Sequence, residues 1–525
     1  MSADVPPPHP RGERRIVFNS DPSTIATWML PDPVAAADLR HWVDLLADAG
    51  VDTMVQDCYN QGFTPFWRTD RFPYDTRAQH RRFLPLLDAG VQPMQVLGDR
   101  CHERGMTFLG GLRMNDTHDF PKFAEFVESH PEFQLPKRWD VLGIERPPEA
   151  AVHVGGKPLD FTFEPVRTFL HAVAATLLDT IDVDGVELVM RDPGYFPVPD
   201  ARDRAHLMTD LIRRIRGTLD DHGRARGRRL LLGARVLSTV DECLIMGLDV
   251  PAWIAEGLID YCAPMDTMFC DFSAGYAEFA ALARAPDSAC MVYPGLHPWI
   301  SHRRRHRSEV MSPSMSRALA HTFYGSGADG VSVFNHFVGH LFTPPYYPQA
   351  LQVFHDLRDP QRVAAGERHY VFDPTWGGVP WMGMDRTASG VAKAQRVTLD
   401  RTAERPAGTY RFRLYERMDR VRCATLALRG ADLTERDELA VVLNGVPLAD
   451  GPLGRADTRA RERPAGPINP AVPVRPVCPD TRWFVLPAGA PAYGENGLAI
   501  TLDEADPQQS TPAVIDEVEV WIQPC

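Results

Sequence analysis

Two carboxylates and three guanidiniums stand out in this chain for the chemistry they could do together. Glu187 lies in Asp184-Gly185-Val186-Glu187-Leu188-Val189-Met190-Arg191-Asp192, and Asp266 in Tyr261-Cys262-Ala263-Pro264-Met265-Asp266. Arg113, Arg191 and Arg235 fall in or beside runs of the same β-rich kind. Paired carboxylates flanking a glycosidic bond can hydrolyse it: one protonates the leaving oxygen, and the other attacks or activates water. Adjacent cations keep Glu187 ionised, which suits the second role and makes Asp266 the first choice of acid. Asp192, Asp116 and His336 are rivals at other strand ends, with Asp57 behind them. The same arginines could instead make Glu187 half of a structural ion pair. Three guanidiniums against two acids also favour an anionic group on the substrate, held bidentately.

Such residues need a scaffold, and the chain supplies one by alternating short β-rich runs with helical stretches. Eight candidate strands are 15–19, 53–59, 107–115, 184–192, 230–237, 261–268, 289–296 and 330–337. Between them Val166, Phe169, Leu170, Val173, Leu177 and Ile181 keep helical spacing over 165–181, as do Leu207, Leu211, Ile212, Ile215 and Leu219 further on. Strand–helix alternation implies parallel strands with helices outside. Eight units, with no phosphate-type glycine fingerprint after the first strand, predict an α/β fold, a (β/α)8 TIM barrel. Residues 116–164 form a long connection with a short helix near 120–129, of the kind that shapes an active site. After about residue 360 the period changes to alternating short runs with Asn-Gly turns at 444–445 and 496–497, which predicts an all-β sandwich of jelly-roll type. The expected units are a disordered tail (1–14), the barrel (15–366) and the accessory sandwich (367–525), with 367–384 as the crossing.

Strand periodicity sorts the side chains. Val186, Leu188 and Met190 share an apolar face that should meet the helices, which turns Glu187, Val189 and Arg191 into the barrel. By the same test Arg113, Asn115, Arg235, Asp266, Tyr293 and His336 approach the interior, strand two contributes Gln56 and Asn60, and Asn335 beside His336 is a further candidate for binding substrate. Polar residues there need partners or a function, because burying them unpaired is costly. Glu187 and Asp266 would stand two strands apart, roughly 10 Å between backbones. Asn115, Asp116 and His118 lie in the densest polar cluster, 113–119, which suits sugar hydroxyls.

Net charge of −13 argues against nucleic acid as a partner, and the basic run 302–307 reads as a solvated loop. No apolar run approaches a membrane span, and the first residues lack the core of a secretory signal. Nine scattered cysteines without a CxxC pair suggest reduced thiols and a cytoplasmic protein. No metal-ligand spacing and no GxSxG elbow are present, so no cofactor and no serine nucleophile are expected.

The segments 113–119, 159–167, 183–188 and 232–236 together resemble bacterial glycosyl-hydrolase-like TIM-barrel proteins, over roughly residues 15–360. The resemblance implies a carboxylate mechanism. The family's strand-four pattern is DGxELD; here Val189 takes the last position, and only Glu187 carries over as a site residue. The leading expectation is a glycosidase acting on a small or acidic saccharide. A lyase or isomerase for a carboxylated sugar, and a non-catalytic carbohydrate-binding protein, are the alternatives. The sandwich could bind carbohydrate, cap the barrel or mediate oligomerisation.

Overall fold

In the computed structural model, residues 15–60, 63–115, 125–136, 157–191, 194–197, 200–266, 269–301, 304, 309–336, 348–373, 396–456 and 480–525 are described. Eight parallel strands succeed one another around a ring: Ile16–Ser20, Thr53–Asn60, Thr107–Arg113, Gly185–Val189, Leu231–Val236, Tyr261–Pro264, a split seventh strand, and Val331–Phe334. Strand seven is two short pieces rather than one run. Met291–Val292 pairs with strand six, and Gly295–Leu296 pairs with strand eight. Between them Pro294 has no N–H to give, yet Tyr293 still donates to Cys262 and the Pro294 carbonyl accepts from Ser332, both at 2.9 Å. Ile16↔Val331 pairing joins strand eight to strand one. The fold is a (β/α)8 barrel.

Each strand buries both faces, as parallel strands covered by helices do. Phe18, Met54, Phe108, Val186, Leu188, Leu232 and Val333 pack outward on the helices in the main core. Val17, Val55, Leu109, Leu231, Tyr261, Ala263, Met291 and Tyr293 fill the interior, and Val189, Met265 and Phe334 form a layer of their own. The outer helices include Ala36–Asp48, Glu164–Thr180 and Ala205–Arg226. Two interior glycines make room for side chains that matter below. A Cβ on Gly233 would stand 2.1 Å from the Tyr261 ring, and one on Gly111 would stand 2.3 Å from an Asp57 carboxylate oxygen.

Two antiparallel sheets follow, and the core runs on into them. Strand Ala513–Pro524 is the centre of the larger, pairing with Arg368–Phe372, Val397–Leu399 and Val421–Ala431. Arg368–Phe372 is thus a sheet strand, although 367–384 reads from sequence as a crossing. Its turn-rich composition concealed a five-residue strand whose partner lies some 150 residues downstream. Among the described residues no helix is long and apolar enough to cross a membrane, and the eight described cysteines are free thiols.

Arg304 joins barrel to sandwich. Expected in a solvated loop, it is buried, donating to Glu309 at 2.9 Å and Glu517 at 3.0 Å and pairing with Glu519. Ser301 donates to Asp373 at 2.5 Å beside it. The correction has a simple cause: the sheet face offers buried carboxylates that no local pattern announces. Arg304→Met should therefore cost about 3–5 kcal/mol, the range for stripping one partner from a buried charge cluster. Urea unfolding would measure it, and a loss under about 1 kcal/mol would mean the cluster does not hold the junction.

Candidate functional site

Glu187 points into the barrel, as its strand alternation requires. Arg235 donates to both its oxygens at 2.8 and 3.2 Å, and the Tyr261 hydroxyl donates to one at 2.8 Å. Arg235 also reaches the Ser332 hydroxyl at 3.0 Å across the barrel. Glu187 and Arg235 are both 0% exposed. Burial, with the Glu187 charge beside it, pushes the Tyr261 hydroxyl well up, so it stays a donor. Through these bonds Glu187 anchors a guanidinium.

A second charge cluster lies at the C-terminal ends of strands one to three. Arg113 donates to Asp57 through Nε at 2.7 Å and to Asp21 through Nη2 at 2.6 Å. Asn19 donates to the other Asp57 oxygen at 2.8 Å. Asp21 also caps the helix Pro22–Trp28, accepting from the amides of Ser23 at 2.7 Å and Thr24 at 3.1 Å, with Pro22 at the first turn where a missing N–H is harmless. The two acids differ in how readily they hold a proton. Burial pushes the Asp57 carboxyl up to about 6, with the Asp21 charge adding to it against the pull of Arg113 and Asn19. Burial opposes ionisation of Asp21 too, but Arg113, His80 and the Thr24 and Ser23 amides outweigh it and hold the carboxyl below its usual range.

Phe334 is the shared surface of the three inward arginines. The guanidinium of Arg191 lies 4.3 Å from its ring centroid, that of Arg235 5.2 Å and that of Arg113 5.5 Å, cation–π distances all. Positive charge from three successive strands is thereby gathered at one level of the barrel.

The remaining expected residues divide. Tyr293 does face the interior, stacked edge-on against Tyr261. Asn115 is spent on the main chain: its amide donates to Leu159 at 2.9 Å and Gly194 at 2.5 Å and accepts from Leu159 at 2.7 Å, which pins the loop. The expected inward turn of Gln56 is corrected: Val55 belongs to the interior and Met54 and Cys58 to the outer core, so Asp57 points in and Gln56 out, donating to the Ser20 carbonyl at 2.9 Å. Asp266 is corrected likewise. Tyr261, Ala263 and Met265 take the inner positions of strand six, and Asp266, buried beyond the strand's end, lies near Cys270 and Tyr276, whose thiol and hydroxyl, raised chiefly by burial, it raises further. Asn335 has a positive φ of 48°, which turns the chain after strand eight and leaves His336 against Phe354 of the outer core. Burial lowers His336 to about 4, so it is neutral. Asp116, His118, Asp192 and the side chain of Asn60 lie outside the described residues.

Asn19, Asp21 and Asp57 were not singled out as a group by sequence reasoning. The available signal was the apolar pair Met54 and Cys58, which share a face with Gln56 and leave Asp57 on the other. Beside Asp21, Ser23 and His80 hydrogen-bond at 2.8 Å and His80 meets Asp75 at 3.2 Å, an order reminiscent of a serine triad. Arg77 clamps the same Asp75 at 3.0 Å, and burial above all, with that charge, drops His80 to about 4. A base so weakened serves as a strut under the capped helix.

No family model matches the chain, and no curated protein matches it. Solved structures do. The glycoside hydrolase domain of PgaB (BpsB) from Bordetella bronchiseptica is 12% identical with a TM-score of 0.42, covering 66% of this chain and 98% of its own. An α-amylase from Geobacillus thermoleovorans is 11% identical with a TM-score of 0.40, covering 95% and 100%. An α-L-fucosidase from Paenibacillus thiaminolyticus is 11% identical with a TM-score of 0.39, covering 68% and 51%. Likeness at this level carries no weight for activity; the strand pairing above defines the class, a (β/α)8 barrel with a C-terminal β-sandwich.

If Glu187 is an anchor, Glu187→Leu should cost about 3–5 kcal/mol, because Arg235 is left buried and unpaired. Adding Arg235→Met should recover much of that loss in a double-mutant cycle. Equal, additive losses in chemical denaturation would contradict the pairing.

Proposed function

We propose that this chain is a glycoside hydrolase in which Asp57 is the proton donor and Asp21 the ionised partner, acting on a saccharide that carries an acidic group. One observation carries the reading: neighbouring carboxyls at the C-terminal ends of strands one and two share Arg113, yet their proton affinities are driven apart. Environments that separate the pKa values of two acids assign the acid and base roles between them. The C-terminal end of the strands is also where such barrels build active sites. Arg191, with Arg113 and Arg235 around Phe334, supplies the positive field for a uronate or sulfate. Glu187, in place of a catalytic role, holds Arg235 in that field.

Aryl glycosides with poor leaving groups test the acid directly. Asp57→Asn should lower kcat/KM by about 10²–10⁴-fold on them, the usual worth of general acid catalysis, and by less on a dinitrophenyl leaving group that needs no proton. A donor must be protonated, so kcat/KM should fall as pH rises through about 6 and hold below it until Asp21 protonates. A profile flat across pH 6 would remove Asp57 from the role. Arg191→Met should erase any preference for aryl uronides over neutral glycosides. The gathered guanidiniums would equally steady the carboxylate of a lyase substrate, so an ultraviolet-absorbing unsaturated product from a uronate polymer would replace hydrolysis with elimination.

A further inference from the structure

Between the end of strand one, the helices Pro22–Trp28 and Ala36–Asp48, and the end of strand eight lies a recess with room for about one water molecule. Phe18, Ile25 and Trp42 of the core form its apolar wall, and Asn19, Ser20, Asp21 and Asn335 border the polar side. Two amide oxygens at this border are buried with no hydrogen-bond partner among the described residues: Oδ1 of Asn19, a residue 1% exposed, and Oδ1 of Asn335. The Asn19 amide cannot turn its oxygen away while Asp57 is ionised, because its NH₂ group is donated to that carboxylate at 2.8 Å. The Ser20 hydroxyl accepts the indole N–H of Trp42 at 3.2 Å and has a proton of its own to give. Two acceptors and one donor around a space of this size match the three or so hydrogen bonds that a buried water makes.

We infer that Asn335 is a positioning residue for Asp57, acting through one ordered water in this recess and through Asn19. The water gives one hydrogen to Oδ1 of Asn19 and one to Oδ1 of Asn335, and it receives the Ser20 hydroxyl. With its oxygen held in this way, the Asn19 amide keeps its NH₂ group on Asp57. A chain of hydrogen bonds then runs from the end of strand eight to the carboxyl on strand two, and none of its members except Asp57 has to meet a ligand. A cation is a poorer occupant: the oxygens of Asp21 are engaged by Arg113 and two main-chain amides, and among the described residues no cluster of three metal-ligating side chains occurs. The catalytic consequence rests on the glycoside reading, in which Asp57 is the proton donor; the water and its chain of bonds do not.

Asn335→Gly removes one acceptor and spares the fold, since a positive φ of 48° is one that glycine adopts freely. Crystals of the unaltered full chain that show ordered solvent should place one water about 2.7–3.2 Å from both amide oxygens. Carbon-13 NMR titration of the Asp57 carboxyl should give a midpoint about half a unit higher in Asn335→Gly than in the parent, because a loosened Asn19 gives up part of a hydrogen bond to the charged form. Asp57 is faced by Arg113 from strand three, by Asp21 from beyond strand one and by the neighbouring Cys58 thiol, and the substitution replaces none of them. His336, which also borders the recess, is lowered by burial to about 4 and is neutral where Asp57 titrates. The inference is overturned if the solvent peak is missing, if it reaches only one of the two amides, if it refines as a cation, or if the Asp57 midpoint does not rise. These readouts need no turnover. A raised midpoint in a chain that cleaves no glycoside would sink the hydrolase reading and leave the positioning role standing.

Discussion

Arg113 has to satisfy two carboxylates at once, and that demand organises the upper end of the barrel. Its donors are directional, so Asp57 on strand two and Asp21 just beyond strand one must arrive at fixed places along the same guanidinium edge. Asp21 is simultaneously the cap of the helix that follows strand one, which couples the barrel's interior charge to the start of its outer layer. Gly111 on strand three leaves the space into which Asp57 fits. A residue with a side chain there would displace the acid and with it the pairing.

The same logic recurs one strand pair further round. Glu187, Arg235 and Tyr261 are drawn together over Gly233, sealed from solvent, and linked to strand eight through Ser332. Each buried charge is matched, as low-dielectric surroundings require, and each match crosses strands. Between the two clusters Phe334 offers its ring to three guanidiniums, so an aromatic face does what a fourth carboxylate would otherwise have to do. The resulting barrel interior holds its charges in fixed partnerships across strands. Ordered charge of this kind needs little reorganisation when a ligand arrives.

Much of this architecture is legible from residue order. Apolar alternation places Arg113, Arg235 and Glu187 inside correctly, because each lies in a strand whose opposite face is continuously apolar. Where the alternation is interrupted the reading fails. Strand two has apolar residues on both faces, and Asp57 and Gln56 exchange roles accordingly. Asp266 stands beyond the last paired residue of strand six, where period two no longer holds. Asn335 adopts a left-handed conformation that redirects His336, a local choice with no signature in hydrophobic pattern.

Composition and periodicity were thus sufficient for the class of fold, eight parallel strands and then an antiparallel sandwich, because burial of one face is imposed residue by residue along the chain. Which acid meets which guanidinium was decided only by tertiary structure. That choice depends on the stagger between neighbouring strands, on glycines that clear space and on a helix cap, and each of these joins residues far apart in sequence. The partnership of Arg304 with Glu517, 213 positions away, shows the same limit at the junction of the two units.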